Sequence, residues 1–334
     1  VEREGLLPSF QQQSRQEEAA FYKIRGEVIM ARPFYNPNQF SSVLPNDIGR
    51  VMFVDSVYGS AGYSGLTPNV PKAALDNCVN HCAGGEAAVI YCMPNHAENI
   101  DAAGAIALDT AGIKVIGLGW GESRPTFTWT AAAGTITITA ANIWLENLLL
   151  KVGVDAVVVG ISVAGADCTL KDLEVRDDDS NYNSLDFITS TDAADRLQIL
   201  DHVHQGSGGA AGAQTAISLV GGSDTIVIPR HIDGNFATAC IENVTTLCDT
   251  LRVFGRASRP AYLRNRNSGD ILVTVKSDTT GHIGPHLYGR LADNAANITE
   301  AFAGGDMAFY PPLELVNLDG ESSVASNITA STDT

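Results

Sequence analysis

The chain has little of what would place it in several large classes. No apolar run approaches the roughly 18–20 residues a helix needs to cross a bilayer, so a membrane-spanning helix is not expected. Basic residues are scarce: 21 Lys and Arg stand against 38 Asp and Glu, a formal charge of −17. Nucleic acid is therefore not an expected partner, because phosphate binding needs clustered cations. An acidic surplus of this size gives a self-repelling, soluble surface instead. The polar stretch Val1 to Glu18 carries no apolar signal-peptide region, so export through such a signal is not expected.

Cysteine is also sparing, and no CxxC pair occurs among Cys78, Cys82, Cys92, Cys168, Cys240 and Cys248. Cys78 and Cys82 lie four apart in an expected helix, Ala73 to Cys82, and so share a face. With His81 and His96 nearby, a zinc set is one reading; buried or disulfide-forming cysteine is the other, and the spacing favours it. A dinucleotide fingerprint is incomplete as well. Gly117-Leu-Gly119 runs into Trp120-Gly121-Glu122 without the third glycine or a βαβ setting, so these glycines read as tight corners. No cofactor and no metal is expected.

What is present is a weak repeat of about 25 residues through the middle of the chain. Apolar pairs one residue apart recur as Ile136/Ile138, Ile161/Val163, Leu185/Phe187 and Ile217/Leu219, with Cys240/Ile241 out of phase. A second series is Ile143/Leu145, Cys168/Leu170, Leu197/Ile199, Ile226/Ile228 and Leu251/Val253. A third is Leu148/Leu150, Leu173/Val175, Val203 and Ile232. Strands this short cannot bury a face alone, so the pattern implies a stacked β-solenoid, an all-β rod.

Three regions follow from the rhythm. Residues 1–50 lack clear periodicity and read as an N-terminal attachment arm, with a strand or two within Tyr22 to Met30. Residues 51–270 read as the capped solenoid. It opens, within residues 51–65, on a buried strand that runs into a Gly/Ser loop, followed by a helix that starts after Pro71, where a fixed φ suits a first turn. Residues 271–334 change rhythm and read as a C-terminal β cap or trimerisation region with a loosely ordered Ser/Thr/Ala tail.

Catalysis on such a rod needs two carboxyls facing one another across a sugar, roughly 5–10 Å apart. Outward residues on neighbouring coils, about 4.8 Å apart, meet that requirement. The candidates are Glu174, Asp178, Asp201 and His202, with Asp177, Asp179 and His204 beside them. His202 and His204 flank Val203, taken as inward, so both are expected to point outward, where imidazole titrates usefully. The competing reading is a polar turn, since Asp177 to Asp179 precede Ser180-Asn-Tyr-Asn183. Trp120, Trp129, Trp144 and Tyr91 are open to two readings, a sugar-binding face or core packing, of which packing is favoured.

From residue 54 to 130 the chain resembles parallel β-helix proteins encoded in tailed-phage genomes. The residues that carry this are Val54-Asp-Ser-Val-Tyr-Gly-Ser-Ala-Gly-Tyr-Ser-Gly-Leu-Thr-Pro68, Pro71, Met93-Pro-Asn-His-Ala-Glu98 and Gly117-Leu-Gly-Trp-Gly-Glu-Ser-Arg-Pro-Thr-Phe127. The runs His282-Ile-Gly-Pro-His286, Asn297-Ile-Thr-Glu-Ala-Phe302 and Asn317-Leu-Asp-Gly-Glu321 add to it. The resemblance implies a right-handed, pectate-lyase-like parallel β-helix, a homotrimer located on a virion and assembled in the bacterial host cytoplasm. It implies a non-enzymatic capsid decoration or head fibre with the major capsid protein or other virion proteins as partners. The alternatives are a tail-spike polysaccharide depolymerase and an adhesin that holds a host-surface glycan without cleaving it. The paired aspartates of β-helix polygalacturonases and the calcium-binding aspartates and catalytic arginine of pectate lyases are not recognisable. No nucleic acid or membrane partner is expected.

Overall fold

The computed structural model describes residues 22–24, 27–29, 49–82, 88–177, 181–206, 213–244, 249–266, 271–275, 280–291, 302–303 and 306–317. Residues 1–44 form one unit and 45–334 another. In the first, Tyr22–Ile24 pairs antiparallel with Glu27–Ile29, as the alternation there predicts.

The second unit is a parallel β-solenoid. Among the described residues the coils contribute strands to two sheets, one of 17 strands and one of eight, so the smaller sheet spans seven coil-to-coil steps. Ile106–Leu108, Ile136–Ile138, Val157–Val163 and Ser184–Ser190 stack in parallel register in the smaller sheet, followed by Thr215–Leu219 and Ala239–Asn243. The larger sheet bends within each coil. Trp144–Glu146 and Leu149–Val152 form its two arms in one coil, and Thr169–Lys171 and Glu174–Asp177 form them in the next.

Two columns of left-handed residues make the corners. Asn142, Asp167, Arg196 and Asp224 have φ of 60°, 59°, 56° and 56°, and Asn147, Asp172 and Asp201 have 59°, 49° and 54°. Asn and Asp tolerate this region because a short polar side chain satisfies the backbone locally. Five of these corners also donate their N–H to the next coil, Asn142 to Ala166, Asp167 to Asp195, Arg196 to Ser223, Asn147 to Lys171 and Asp172 to Leu200. The repeat in the sequence is thus a repeat of corners as much as of strands.

Inside, identical ladder positions carry apolar residues, with His204 the exception. Leu145, Leu170 and Ile199 stack in one ladder, and Phe127, Leu150, Val175, His204, Ile232 and Leu263 in another. Leu170 and Cys168 are buried, as the repeat predicts. An aromatic column crosses the core: Trp129 meets Phe187 at 5.0 Å, Phe187 meets His204 at 5.9 Å and His204 meets Phe236 at 5.4 Å. Two glycines make room for it. A Cβ on Gly160 would lie 2.7 Å from the Phe187 ring, and one on Gly234 2.5 Å from the Phe236 ring.

The first coil carries strand Arg50–Val54 and a helix, Leu75–Val79, shorter than the predicted Ala73 to Cys82 because the last turn tightens at His81 and Cys82. Helix residues Leu75, Cys78 and Val79 are buried. Between strand and helix, loop 55–71 is tied by its own backbone: Gly59 N–H reaches Asp55, Ser60 N–H reaches Pro71 and Gly65 N–H reaches Val70. Beyond residue 270, where a separate C-terminal region is expected, parallel pairing continues. Thr280–Ile283 and Asp306–Phe309 stack on Thr250–Val253, and Leu287–Leu291 and Leu313–Asn317 on Ala261–Asn265.

Candidate functional site

The sequence-predicted patch comes apart in the folded chain. Glu174 lies on the outer face of the larger sheet, in register with Leu149 and Val203. Its carboxylate is clamped by Arg124 and Arg176. Burial pushes Glu174 upward, but hydrogen bonds from both guanidinium groups outweigh it and hold the carboxyl below the usual range. Asp201 sits at a corner, where Arg256 Nη1 reaches it at 2.7 Å and Arg259 Nη1 at 3.3 Å. Asp178 and Asp179 lie outside the described residues.

His202 and His204 overturn the expectation of outward imidazoles. Both are buried, with 1% and 2% of their surface exposed. The reason is the corner at Asp201. Asn147-Leu148, Asp172-Leu173 and Asp201-His202 are equivalent pairs, each a left-handed residue followed by an inward one. Val203 pairs with Glu174 and belongs to the outward column, while His204 pairs with the inward Val175. Aligning the Asn/Asp–Leu pairs, rather than the apolar residues alone, would have exposed the phase.

Neither ring nitrogen of His202, nor Nδ1 of His204, meets a hydrogen-bond partner. Burial drives His202 down to about 4, against a smaller upward pull from the Leu173 carbonyl, which already accepts the Val203 N–H at 2.9 Å. Burial and the neighbouring His202 take His204 to about 3. Both rings are neutral core residues at neutral pH and cannot exchange protons with a bound substrate from this position.

A second constellation, not foreseen as a cluster, joins two of the stretches that carried the phage resemblance. His96 Nδ1 accepts the Ser56 backbone N–H at 2.9 Å, and Nε2 faces Glu98 Oε2 at 3.1 Å. Glu98 Oε2 also accepts the Leu75 N–H at 2.9 Å, and Ser56 Oγ accepts the Ala97 N–H at 2.8 Å. The residue types suggest a nucleophile, base and orienting acid, but the geometry does not: the imidazole lone pair is engaged by a backbone N–H rather than by the hydroxyl. The network is a latch that fixes loop 55–71 and the helix start to the second coil.

The four aromatic candidates do not share a face. Trp129 is in the core and donates Nε1–H to Gly134, whereas Trp120 is 87% exposed. Trp144 lies between the ammonium groups of Lys114 and Lys171, at 5.7 and 5.8 Å. Cys78, Cys82, Cys92, Cys168 and Cys240 are buried thiols outside any disulfide; Cys248 lies outside the described residues. Burial raises the thiols of Cys78, Cys92, Cys168 and Cys240, which keeps them protonated. Among the described residues no group of three or more His, Cys, Asp or Glu is placed to hold a metal ion.

What the outer face does gather is arginine. Beyond the Glu174 and Asp201 clamps, Asp233 takes Arg266 Nε at 2.7 Å and Nη2 at 2.6 Å, with Arg264 Nη1 at 3.6 Å. Arg230 and Arg259 approach Asp172 at 3.8 and 4.0 Å. His231 stacks on Tyr262 beside them, with centroids 5.0 Å apart.

No protein-family model and no curated protein sequence matches the chain. Among solved structures, a rhamnogalacturonan lyase matches with a TM-score of 0.38 and 14% identity. The match covers 80% of this chain, which spans 66% of that one. A likeness of this size carries no argument about activity; the parallel coils described above establish the β-solenoid on their own.

Proposed function

We infer that the chain is a non-enzymatic structural component of a virion, a β-solenoid of capsid-decoration or head-fibre type at the particle surface. Its subunit partners on this reading are two further copies of itself and the major capsid protein. One observation carries the non-catalytic part. Of the principal candidates Glu174, Asp178 and Asp201, the two described, Glu174 and Asp201, are each bracketed by two arginines, while the imidazoles meant to serve them lie in the core. General acid–base cleavage needs a protonated donor opposite an ionised group, and the two arginines on Glu174 hold its carboxyl ionised. The virion assignment is supported by the resemblance at residues 54–130, whose Asp-Ser and His-Ala-Glu stretches meet in the first-coil latch.

Two measurements test this reading. Gold-labelled antibody on purified particles should mark the head surface; particles without label would remove the virion assignment. Incubation with host capsule or lipopolysaccharide should leave chain length unchanged. Shortened glycans would instead establish a depolymerase.

A further inference from the structure

We propose that the corner loops of the first three coils form the face on which a further copy of this chain docks. This rests on the reading that copies of the chain are partners of one another, and gives them the surface by which they meet.

Exposed apolar side chains are not spread evenly along the rod. Among the described residues nine large ones face solvent, and six of them, Val57, Tyr58, Tyr63, Leu66, Val70 and Trp120, belong to these loops. The loops stack as one corner. Loop 55–71 is joined to residues 93–97 by the latch, where the Ser56 N–H reaches His96 and Ser56 Oγ accepts the Ala97 N–H. Trp120 follows Ile113–Gly117, the strand stacked on Ala88–Cys92 in the next coil. Its turn meets residues 93–97 in their own corner, since the Asn95 N–H reaches the Ser123 carbonyl at 2.8 Å. Trp120 therefore hangs two coil steps from the loop, about 10 Å along the rod.

Both parts of the face are fixed before any partner arrives. Inside the loop the Tyr63 N–H reaches Ser60 and the Val70 N–H reaches Thr67, beside the three backbone bonds described above. At Trp120, Ser123 Oγ accepts the backbone N–H at 3.1 Å and donates to the carbonyl at 2.8 Å. These bonds pin a turn whose indole stands almost wholly in water. A fixed backbone lowers the ordering cost of association, and Trp and Tyr are the residues enriched among interface anchors.

Charge and area select the occupant. Asp, Glu, Lys and Arg make up 18% of the chain, yet none occurs in Ser56 to Pro71, Met93 to Ala97 or Leu118 to Gly121. Two copies at −17 repel one another in most orientations, and least where these uncharged loops come together. Loss of charge with gain of Tyr and Trp is the composition of an interface core. The six side chains expose roughly 700 Å² together, close to the roughly 800 Å² that each partner gives to a standard interface.

The test is sedimentation velocity of the 334-residue chain over a concentration series at low and high salt, with acrylamide quenching of its tryptophan fluorescence. Species heavier than the 35.2 kDa chain are expected. Their association should tighten as salt rises, because screening weakens the repulsion and leaves apolar contact intact. Trp129 is in the core and Trp144 half-buried, so quenching reports mainly Trp120 and should fall on association. Trp120→Glu and Tyr58→Glu should each weaken association at least about 30-fold. Val158→Glu, which adds the same charge at an exposed valine of the smaller sheet, is the control and should match the parent. An oligomer that Trp120→Glu and Tyr58→Glu leave intact, or that Val158→Glu weakens equally, overturns the face while self-assembly stands. A parent that stays monomeric at every salt overturns the face and the self-assembly beneath it. A monomer that floats with phosphatidylcholine vesicles gives the loops to a lipid surface and overturns the proposal as well.

Discussion

Replacing both core histidines with leucine should turn an acid-sensitive rod into an acid-tolerant one. His202 and His204 occupy positions filled by Leu173 and Val175 one coil earlier, so leucine fits the ladder. The folded pKa values of about 4 and about 3 lie below the ordinary 6.5. The sign follows from proton counts. Above pH 6.5 both states are neutral and the pair contributes nothing to pH dependence. Below it the unfolded chain takes up two protons that the folded core refuses, so stability falls with pH until each ring protonates near its folded pKa. At 1.36 kcal/mol per unit, the loss attributable to the pair is about 4 kcal/mol at pH 5 and reaches about 8 kcal/mol below pH 3. Denaturant melts of the parent and of His202→Leu/His204→Leu, at pH 7.5 and pH 5, isolate this because every other titrating group is common to both. The parent should lose about 4 kcal/mol more than the variant between those pH values. At pH 7.5 the variant should already be more stable, since unpartnered buried ring nitrogens cost about 1–3 kcal/mol each. Parallel pH curves for the two proteins would refute the burial of these rings as described.

Other outcomes follow from the same packing. Leu170→Asp should abolish cooperative folding, because its ladder neighbours Leu145 and Ile199 offer the charge no partner; a parent-like thermal melt would refute the inward assignment. Gly234→Ala should cost about 1–3 kcal/mol through its clash with Phe236, and Phe236→Leu in the same chain should recover part of it; equal loss in single and double variants would place the strain elsewhere. Thiol titration of the native chain should show no more than one fast cysteine, Cys248, with the five buried thiols reacting only after denaturation; two or more fast thiols would contradict their burial.

Much of the architecture was legible in the chain itself. Short apolar pairs at a fixed interval cannot bury themselves except by stacking, so the repeat dictated a parallel solenoid, and Leu170 and Cys168 were placed inside by periodicity alone. The opening strand and the helix after Pro71 were legible for the same local reasons, although the helix is shorter than its sequence suggests.

The site was not legible in this way, because alternation gives a side chain's face only while the strand stays regular. At Asp201 the backbone turns left-handed and the register shifts, so His202 moves inward and Val203 outward. Likewise no sequence distance joins Arg124 to Glu174 or Arg256 to Asp201; coil stacking brings together residues 50 and 55 positions apart. Sequence alone determined that the chain coils, since hydrophobic burial is a summed property of many positions. Which charges meet, and which histidines lose water, was decided only by the tertiary structure, because each depends on one corner's backbone angle and on the register between coils.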